Sequence, residues 1–268
     1  MTGPLARSSS HGRVAIERIR LARLPRAEAR SVLDELVGVV AASMTPGTSP
    51  AMSWAAQDFS ARRDQLWATA DLYLARNGGR IVGFIAYRIE DFAGRPTIHM
   101  LAVCIEPDHQ RSGLGFAMTA RIVLRALLTR PGSPYYMAAH IVNPVALAGW
   151  RSRILEPEDF FPRLGDGPGP SDALVAVACE FAERNSPGLP FDKTTGVITG
   201  KHLPGDRLPV RSGDAAVDVL FRDHVFGERG DTVLMVTDLN LRMLGAHVRV
   251  LAGAVPRSLG RVGRRRRP

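Results

Sequence analysis

One stretch of the sequence constrains the fold more than any other, because three segments of different character follow one another directly. The run IHMLAVCI (98–105) is short and apolar throughout, as expected for a buried strand. HQRSGLG (109–115) follows with two glycines and an arginine, and FAMTARIVLRALLTR (116–130) then has the apolar spacing of a helix. This order predicts a strand, a tight loop and a helix that begins at Gly113.

The start of such a helix is suited to binding an anion. Its first backbone N–H groups have no partners within the helix, and the helix dipole places positive charge there. Gly113 and Gly115 carry no Cβ that would block a close approach, and Arg111 adds a charged donor. G-x-G alone is weak evidence, since many helices begin with glycine for packing reasons. A dinucleotide-binding fingerprint would need a third glycine where Met118 stands, and no P-loop spacing occurs.

The first 160 residues alternate between strand and helix patterns. Alternating or continuous apolar residues predict strands at 13–22, 70–76, 80–89, 96–105 and 135–142. Helical spacing predicts helices at 28–44, 55–68 and 113–130, and one that begins at Pro144. Asn77-Gly78-Gly79 predicts a hairpin turn, EDFAGR (90–95) a loop, and Asn143 a helix cap. The pattern indicates a mixed α+β chain.

The character of the sequence changes after residue 160. LGDGPGP (164–170) interrupts the pattern, and Ser171 is predicted to cap an amphipathic helix. Strand and helix are hard to distinguish in the segments between 191 and 239, and a last helix is predicted at 239–254. We expect an α/β extension in this region.

The composition restricts the classes of function. Of 268 residues, 45% are apolar and 23% are charged, and no apolar run reaches the roughly 18 residues of a membrane span. Cys104 and Cys179 are too few for a disulfide framework or a cysteine-based zinc site. We therefore expect a cytoplasmic protein with no metal site and no membrane contact.

The net charge of +9 is concentrated at one end of the sequence. PRSLGRVGRRRRP (256–268) contributes six arginines and no acid. An arginine run can bind nucleic acid, but a solvated, disordered tail is the more common role of such a segment. We favour the disordered tail over a nucleic-acid partner.

Several elements, taken in order, resemble the GNAT superfamily of acyl-CoA-dependent N-acyltransferases. The hairpin RNGGRIVGF (76–84) and the strand LAVCI (101–105) precede QRSGLG (110–115), which is similar to the family signature Gln/Arg-x-x-Gly-x-Gly/Ala. Asn143 after the next strand is similar to the segment beyond the family's fifth strand. The resemblance covers residues 13–155. It implies a mixed central sheet in α/β/α layers whose fourth and fifth strands splay apart, with the C-terminal α/β extension added.

The resemblance also implies acetyl-CoA, or another acyl-CoA, as a co-substrate in the gap between the splayed strands. Its pantetheine arm would pair with strand backbone, and its pyrophosphate would lie at the start of the following helix. The implied cofactor-binding residues are Val103, Cys104, Ile105, Gln110, Arg111, Ser112, Gly113, Leu114, Gly115, Phe116 and Asn143.

A general base is expected because an alkylamine with a pKa near about 10.4 must lose a proton before it attacks a thioester. His99 stands where histone-modifying members of the family carry a Glu, and an imidazole with an ordinary pKa near about 6.5 suits the task. Strict alternation would place His99 on the face of Leu101, Val103 and Ile105. A structural histidine is the alternative role for His99, and His140 is the second candidate base.

The residue at the position of the family's general acid differs from the one that many members carry. Many members carry a Tyr seven residues after the Asn, placed to protonate the leaving thiolate, and Trp150 stands at that position here. Trp has no acidic hydroxyl. Tyr135, Tyr136 and water are the alternatives.

We predict an N-acyltransferase that moves an acetyl or other acyl group from CoA to a primary amine by direct attack, with the acceptor open. The alternative is a catalytically weak acyl-CoA-binding or scaffolding module of the same fold. The predicted organisation is a flexible N-terminus (1–12), a GNAT-like domain (13–165), an extension (166–255) and a disordered tail (256–268). The extension would pack on the GNAT-like domain and either shape the acceptor pocket or form a homodimer interface.

Overall fold

The computed structural model describes residues 14–44, 51–62, 70–153, 156–205 and 211–239. Its strands are β1 (Ala15–Arg20), β2 (Asp71–Asn77), β3 (Arg80–Phe92), β4 (Arg95–Ile105), β5 (Tyr135–Ile141), β6 (Phe160–Phe161), β7 (Val197–Ile198) and β8 (Thr232–Leu239). Its helices are α1 (Arg26–Met44), α2 (Trp54–Ala61), α3 (Leu114–Thr129), α4 (Pro144–Arg151), α5 (Asp172–Asn185) and α6 (Ala215–His224). The second part of the helix predicted at 55–68, residues 240–254 of the last predicted helix and both predicted flexible ends lie outside the described residues. Leu239, predicted to begin that last helix, is the final residue of β8.

The strands form one mixed sheet between two layers of helices, which confirms the predicted fold class. The strand order is β1-β2-β3-β4-β5-β8-β6, and β7 pairs with β8 beside β6. Neighbouring strands are antiparallel except β4 and β5, which are parallel. α3, α4 and α6 pack on one face of the sheet, and α1, α2 and α5 pack on the other. Among the described helices, none has the length and the apolar character that a membrane crossing requires.

The parallel pairing of β4 and β5 is short. It runs from Thr97 opposite Tyr136 to Met100 opposite Ala139 and stops there. β4 continues to Ile105 and stays paired with β3 over this whole length, so only its edge towards β5 is open. The predicted splay between the fourth and fifth strands is therefore present.

β4 carries a bulge at the point where the splay begins. Ala86 pairs with Ala102 while the next residue, Tyr87, pairs with Met100, so Leu101 is an extra residue on β4. Such a bulge reverses the alternation of side chains beyond it. His99 therefore shares its face with Ala102 and Cys104, and the prediction that it shares a face with Leu101, Val103 and Ile105 is wrong.

The predicted loop EDFAGR (90–95) is a tight hairpin turn. β3 extends to Phe92 and β4 resumes at Arg95, with Ala93 at φ 48° and Gly94 at φ 67° between them. Helix α5 holds this turn, because Glu180 accepts a hydrogen bond from the backbone N–H of Ala93 at 2.5 Å. An alanine with positive φ is uncommon, so a contact from a distant helix decided a conformation that the local sequence does not indicate.

The C-terminal extension contributes directly to the central sheet. β8 pairs with β5 along its whole length, from Tyr135 opposite Leu239 to Ile141 opposite Val233. α5 begins at the predicted cap, Ser171, whose hydroxyl accepts from the N–H of Leu174 at 3.4 Å. The segments that sequence patterns left ambiguous form the short strand β7, helix α6 and strand β8.

The segment 200–205 is fixed against β8 by a close backbone approach at Gly230. The N–H of His202 donates to the carbonyl of Gly230 at 3.0 Å, and Gly230 has a φ of 73°. A Cβ at Gly230 would lie 2.0 Å from the carbonyl oxygen of His202. Only glycine fits this contact, which positions Lys201 and His202.

We expect Gly230→Ala to destabilise the protein more than Gly213→Ala does. Both glycines have positive φ, but a Cβ at Gly213 would have nothing within 4 Å. Gly213→Ala should cost about 1 kcal/mol for the left-handed backbone. Gly230→Ala should cost at least about 2 kcal/mol more because the segment 200–205 must move. Urea unfolding measures both, and equal losses would show that the close approach does not hold this segment.

Candidate active site at the splay of two strands

The loop between β4 and α3 leaves backbone N–H groups available at the start of the helix. Gly113 is the N-cap residue, with φ 81° and no side-chain hydrogen bond to the first turn. The first hydrogen bond of the helix runs from the N–H of Ala117 to the carbonyl of Gly113, at 2.9 Å. The N–H groups of Leu114 and Gly115 therefore have no partner within the helix and lie at the positive end of its dipole.

Side chains of the same loop stabilise its shape. The amide of Gln110 donates to the carbonyl of Ile105 at 2.8 Å, and the hydroxyl of Ser112 donates to the carbonyl of His109 at 2.6 Å. Arg111 is exposed with a φ of 60° and forms no ion pair with any residue in the described ranges. An anion at this helix start would meet backbone N–H groups and the Arg111 guanidinium.

The open edge of β4 lies between this loop and the end of the parallel pairing. Val103 is 45% exposed, although it belongs to a central strand, and it lies beyond the end of the pairing with β5. Cys104 points into the opposite face, where burial raises the pKa of its thiol to about 12. The edge thus offers backbone groups for an extended ligand, while the thiol of Cys104 stays protonated.

Asn143 caps α4 beside the end of β5. Its side-chain oxygen accepts from the N–H of Val145 at 2.9 Å, as predicted, and the residue is exposed. The cap occupies the oxygen and leaves the amide N–H₂ directed elsewhere. At the far end of α4, Trp150 packs beside the helical layer of α3, and the guanidinium of Arg153 lies 5.9 Å from the centre of its ring.

Neither tyrosine named as a substitute acid lies near the splay. Tyr135 and Tyr136 are buried at the beginning of β5, and the splay begins beyond Ala139. At about 3.3 Å per residue, Tyr136 lies about 13 Å before His140 along the strand. Burial also raises the pKa of both phenols. Of the three proton donors considered, Tyr135, Tyr136 and water, the geometry therefore leaves water.

His99 is buried beside the last paired residues of β4. Its Nδ1 lies 3.2 Å from Glu90 Oε2 and 3.2 Å from Arg88 Nε. Arg88 only donates and an ionised Glu90 only accepts, so Nδ1 serves one of them at a time. With the proton on Nδ1 facing Glu90, the lone pair lies on Nε2. The ring packs against Phe181 of α5, at 4.5 Å between ring centres.

His99 is one of three histidines that the fold brings together, and we call His99, His140 and His202 the histidine cluster. Ring centres are 6.3 Å apart for His99 and His140, and 6.4 Å apart for His140 and His202. A carboxylate lies at each end, since Nδ1 of His202 is 2.9 Å from Asp58 Oδ2 on α2. The cluster lies on the face of α1, α2 and α5, where the β4–β5 pairing ends.

His140 occupies the middle of the histidine cluster. The residue as a whole is partly accessible, but Nε2 is buried and meets no hydrogen-bond partner among the residues that the structure describes. Burial, followed by the positive charge of Lys201, holds the pKa of His140 well below its usual range. His140 is therefore a neutral imidazole at neutral pH.

The other groups of the cluster are arranged to keep His99 neutral as well. Burial lowers the pKa of His99, and the hydrogen bond to Glu90 opposes this only in part. The bond to His99 in turn lowers the pKa of Glu90. For Asp58, burial raises the pKa, but the hydrogen bond from His202 and the charge of Arg62 outweigh it and leave the pKa lowered. The structure thus pairs a neutral His99 with an ionised Glu90.

Sequence patterns did not indicate the contribution of the extension to this site. Lys201 and His202 follow a two-residue strand, and neither spacing nor a motif connects them with His140. The contact depends on the pairing of β8 with β5, which is visible only in the fold. Within the described ranges, no three His, Cys, Asp or Glu side chains are arranged to hold a metal ion.

Comparisons with known proteins agree with this geometry. Residues 41–147 match the family model described as Acetyltransferase (GNAT) family, and no curated protein matches the sequence significantly. The match begins in α1, covers β2 to β5 and the loop before α3, and ends in α4.

Solved structures similar to the chain include several acetyltransferases. A ribosomal-protein-alanine N-acetyltransferase from Brucella melitensis is 17% identical with a TM-score of 0.37, over 52% of this chain and 90% of that one. PH1933 from Pyrococcus horikoshii is 18% identical with a TM-score of 0.40, over 57% and 93%. A GNAT family acetyltransferase from Elizabethkingia anophelis with acetyl-CoA bound is 12% identical with a TM-score of 0.38, over 84% and 98%.

These likenesses are weak, and we base the assignment on the family match together with the strand order, the splay and the loop before α3. The assignment extends to residues 41–147, which contain the splay and the loop before α3 and are similar to the GNAT acetyltransferase family.

Proposed function

We propose that the protein is an acyl-CoA-dependent N-acyltransferase that moves an acetyl or other acyl group from CoA to a primary amine by direct attack. The free edge of β4 beyond Met100, which leads into the open N-terminus of α3, is the observation that carries the proposal. An extended pantetheine arm fits the edge as an added strand, and a pyrophosphate fits the helix start.

The proposed contacts to CoA follow from this edge and this loop. Val103, Cys104 and Ile105 would bind through their backbone, and Asn143 through the amide N–H₂ that its cap leaves available. The segment from Gln110 to Phe116 would surround the pyrophosphate. Within it, Gln110 and Ser112 hold the loop, and Arg111 supplies charge.

CoA supplies the acyl group as a thioester. The neutral amine attacks the carbonyl carbon, the C–N bond forms as the C–S bond breaks, and the amine proton passes to a base. We propose His99 as this base, with His140 beside it as the second group able to accept the proton. Water protonates the departing thiolate, because Trp150 has no acidic hydroxyl and Tyr135 and Tyr136 lie at the wrong end of β5.

Direct transfer is favoured over an acyl-enzyme. A cysteine nucleophile reacts as the thiolate. Burial keeps Cys104 protonated, with a pKa of about 12. Cys179 lies on α5 outside the face whose Leu174, Val177 and Phe181 pack on the sheet.

The proposal includes the predicted organisation: a flexible N-terminus (1–12), a GNAT-like domain (13–165), an extension (166–255) and a disordered tail (256–268). It also includes a homodimer. In this organisation the extension shapes the acceptor side, because α5 and the segment 200–205 contribute Phe181, Lys201 and His202 next to His99 and His140.

A catalytically weak acyl-CoA-binding module is the second candidate, and the replacement of the family's Tyr by Trp150 favours it. The two candidates differ in one measurement, the release of CoA from acetyl-CoA in the presence of a broad panel of primary amines. A binding module would be stabilised against heat by acetyl-CoA and would release no CoA above the rate of spontaneous hydrolysis.

We expect Gly113→Asp to weaken the binding of CoA at least about tenfold, because a carboxylate at the helix start repels the pyrophosphate. The fold should persist, since Asp is favoured at an N-cap and tolerates positive φ. Gly132→Asp is the matched control, with the same φ of 81° and equally open surroundings beyond the other end of α3. Calorimetric titration with CoA compares the two, and equal affinities would refute the proposed pyrophosphate site.

We expect His99→Gln to lower kcat about a hundredfold, the usual contribution of a general base, and to leave the affinity for CoA unchanged. The same substitution at His140 shows which imidazole takes the proton. Turnover is measured as CoA release over the range from about pH 6 to about pH 9. Full activity of both variants across this range would exclude the histidine cluster from proton transfer.

The histidine cluster should also make stability depend on pH in a defined direction. The pKa values of His99 and His140 in the folded protein lie below the ordinary value of about 6.5, so below that pH the unfolded chain binds more protons than the folded one. Their contribution to stability should be constant above about pH 6.5 and fall as the pH decreases towards their folded pKa values.

His140→Leu should reduce this loss, and each unit of pKa depression removed corresponds to about 1.4 kcal/mol. The exposed His224 provides the control substitution, His224→Leu. Urea unfolding at about pH 7 and about pH 5.5 measures the difference. An equal loss in wild type and His140→Leu would show that His140 is not held neutral by the fold.

A further inference from the structure

Lys201 lies beside the histidine cluster and has no carboxylate partner of its own among the described residues. Its ammonium group donates to the carbonyl of Asn185, the last residue of α5, and no acid among the described residues lies within ion-pair distance of it. A carbonyl at a helix C-terminus is a partial negative charge only. Burial and the charge of Arg62 accordingly lower the pKa of Lys201.

The carboxylates near Lys201 are already paired with arginines. Asp58 forms an ion pair with Arg62, and Glu90 forms one with Arg88 at 2.5 Å. Glu90 also has Arg184 3.9 Å away. Arg184 also pairs with Glu180, at 3.2 Å. With His99 and His140 neutral, Lys201 is therefore a cation beside the histidine cluster that these pairs do not balance.

Counted from the sequence, three segments that border these elements each carry no net charge. Residues 63–69, which follow α2, contain one arginine and one aspartate, and residues 206–210 also contain one of each. Residues 45–50 contain no charged side chain.

The site is open to solvent and lies next to the end of the β4–β5 pairing. The side chain of Arg62 is 40% exposed, and Lys201 and His140 are partly accessible. The ring of His202, the residue after Lys201, has its centre 6.4 Å from that of His140. The charge of Lys201 also acts on His140, so a group bound at Lys201 lies near an amine placed at His140.

We infer that the acceptor is an amine that carries an anionic group, a carboxylate or a phosphate, a few carbon atoms from its nitrogen, and that Lys201 binds this anion. This inference rests on the proposed function and names its class of acceptor. A second ammonium group on the acceptor would instead meet Lys201, Arg62 and Arg88, so polycationic amines are poor acceptors.

Amines that differ only at the end remote from the nitrogen test the inference. γ-Aminobutyrate, butylamine and putrescine have the same carbon chain, ending in a carboxylate, a methyl group and an ammonium group, and phosphoethanolamine with ethanolamine forms the phosphate pair. We expect kcat/KM for γ-aminobutyrate to exceed that for butylamine at least about tenfold, with putrescine lowest. Whether carboxylate or phosphate gives the larger ratio identifies the anion.

Lys201→Gln should reduce the ratio between γ-aminobutyrate and butylamine to within about threefold, while Lys201→Arg should retain the preference. Lys193→Gln, at an exposed lysine before β7, is the matched control and should keep the wild-type ratio. Thermal unfolding of Lys201→Arg and Lys201→Gln verifies that both are folded. Equal kcat/KM values for the three butyl compounds, or a preference for putrescine, would overturn the inference.

Failure of the proposed function gives a different result. If CoA binds but none of these amines causes its release, the N-acyltransferase proposal fails, and binding then decides the inference. NMR titration of the CoA-saturated protein with the same compounds should still show γ-aminobutyrate or phosphoethanolamine binding more tightly than putrescine. Tighter binding of putrescine, or equal binding of all of them, would overturn the anion site at Lys201.

Discussion

The end of parallel pairing between β4 and β5 is the constraint on which the rest of the site depends. Each strand is held on its outer side by an antiparallel partner, β4 by β3 as far as Ile105 and β5 by β8 as far as Ile141. Closing the gap would break one of these ladders and leave buried backbone groups without partners. The gap is therefore stable without a ligand, and the bulge at Leu101 lets β4 turn away while it remains paired with β3.

The same arrangement explains why the extension (166–255) matters to the site, although most of the family's signature residues lie before it in the chain. β8 holds β5, and the connection before β8 passes through Gly230, whose close approach to the His202 carbonyl fixes the segment 200–205. α5 covers His99 through Phe181 and supplies the carbonyl that Lys201 binds. The gap and the acceptor side are thus stabilised by one set of contacts.

Local signals predicted the elements that depend on local chemistry. The start of α3, the cap at Asn143 and the cap at Ser171 follow from glycine conformation and from side-chain hydrogen bonds within one turn. Features decided by distant contacts were not predictable. The face of His99 depends on an extra residue in β4, and the turn at Ala93 depends on Glu180 of α5. The third histidine of the cluster comes from the extension, which the resemblance to the family did not cover.

The polar groups around His140 favour a binding role over a structural one. A buried polar atom without a partner costs about 1 to 3 kcal/mol, and an apolar side chain at that position would avoid the cost. Nε2 of His140 has no partner among the described residues, although Tyr136 and Ala138, its neighbours on the same face of β5, are packed in apolar surroundings. A neutral imidazole and an ammonium group without a carboxylate, both partly open to solvent beside a permanent gap, are groups that a ligand can complete. A purely structural role would leave Nε2 of His140 without a partner and Lys201 without a counter-charge among the described residues, whereas an amine with an attached anion would supply both.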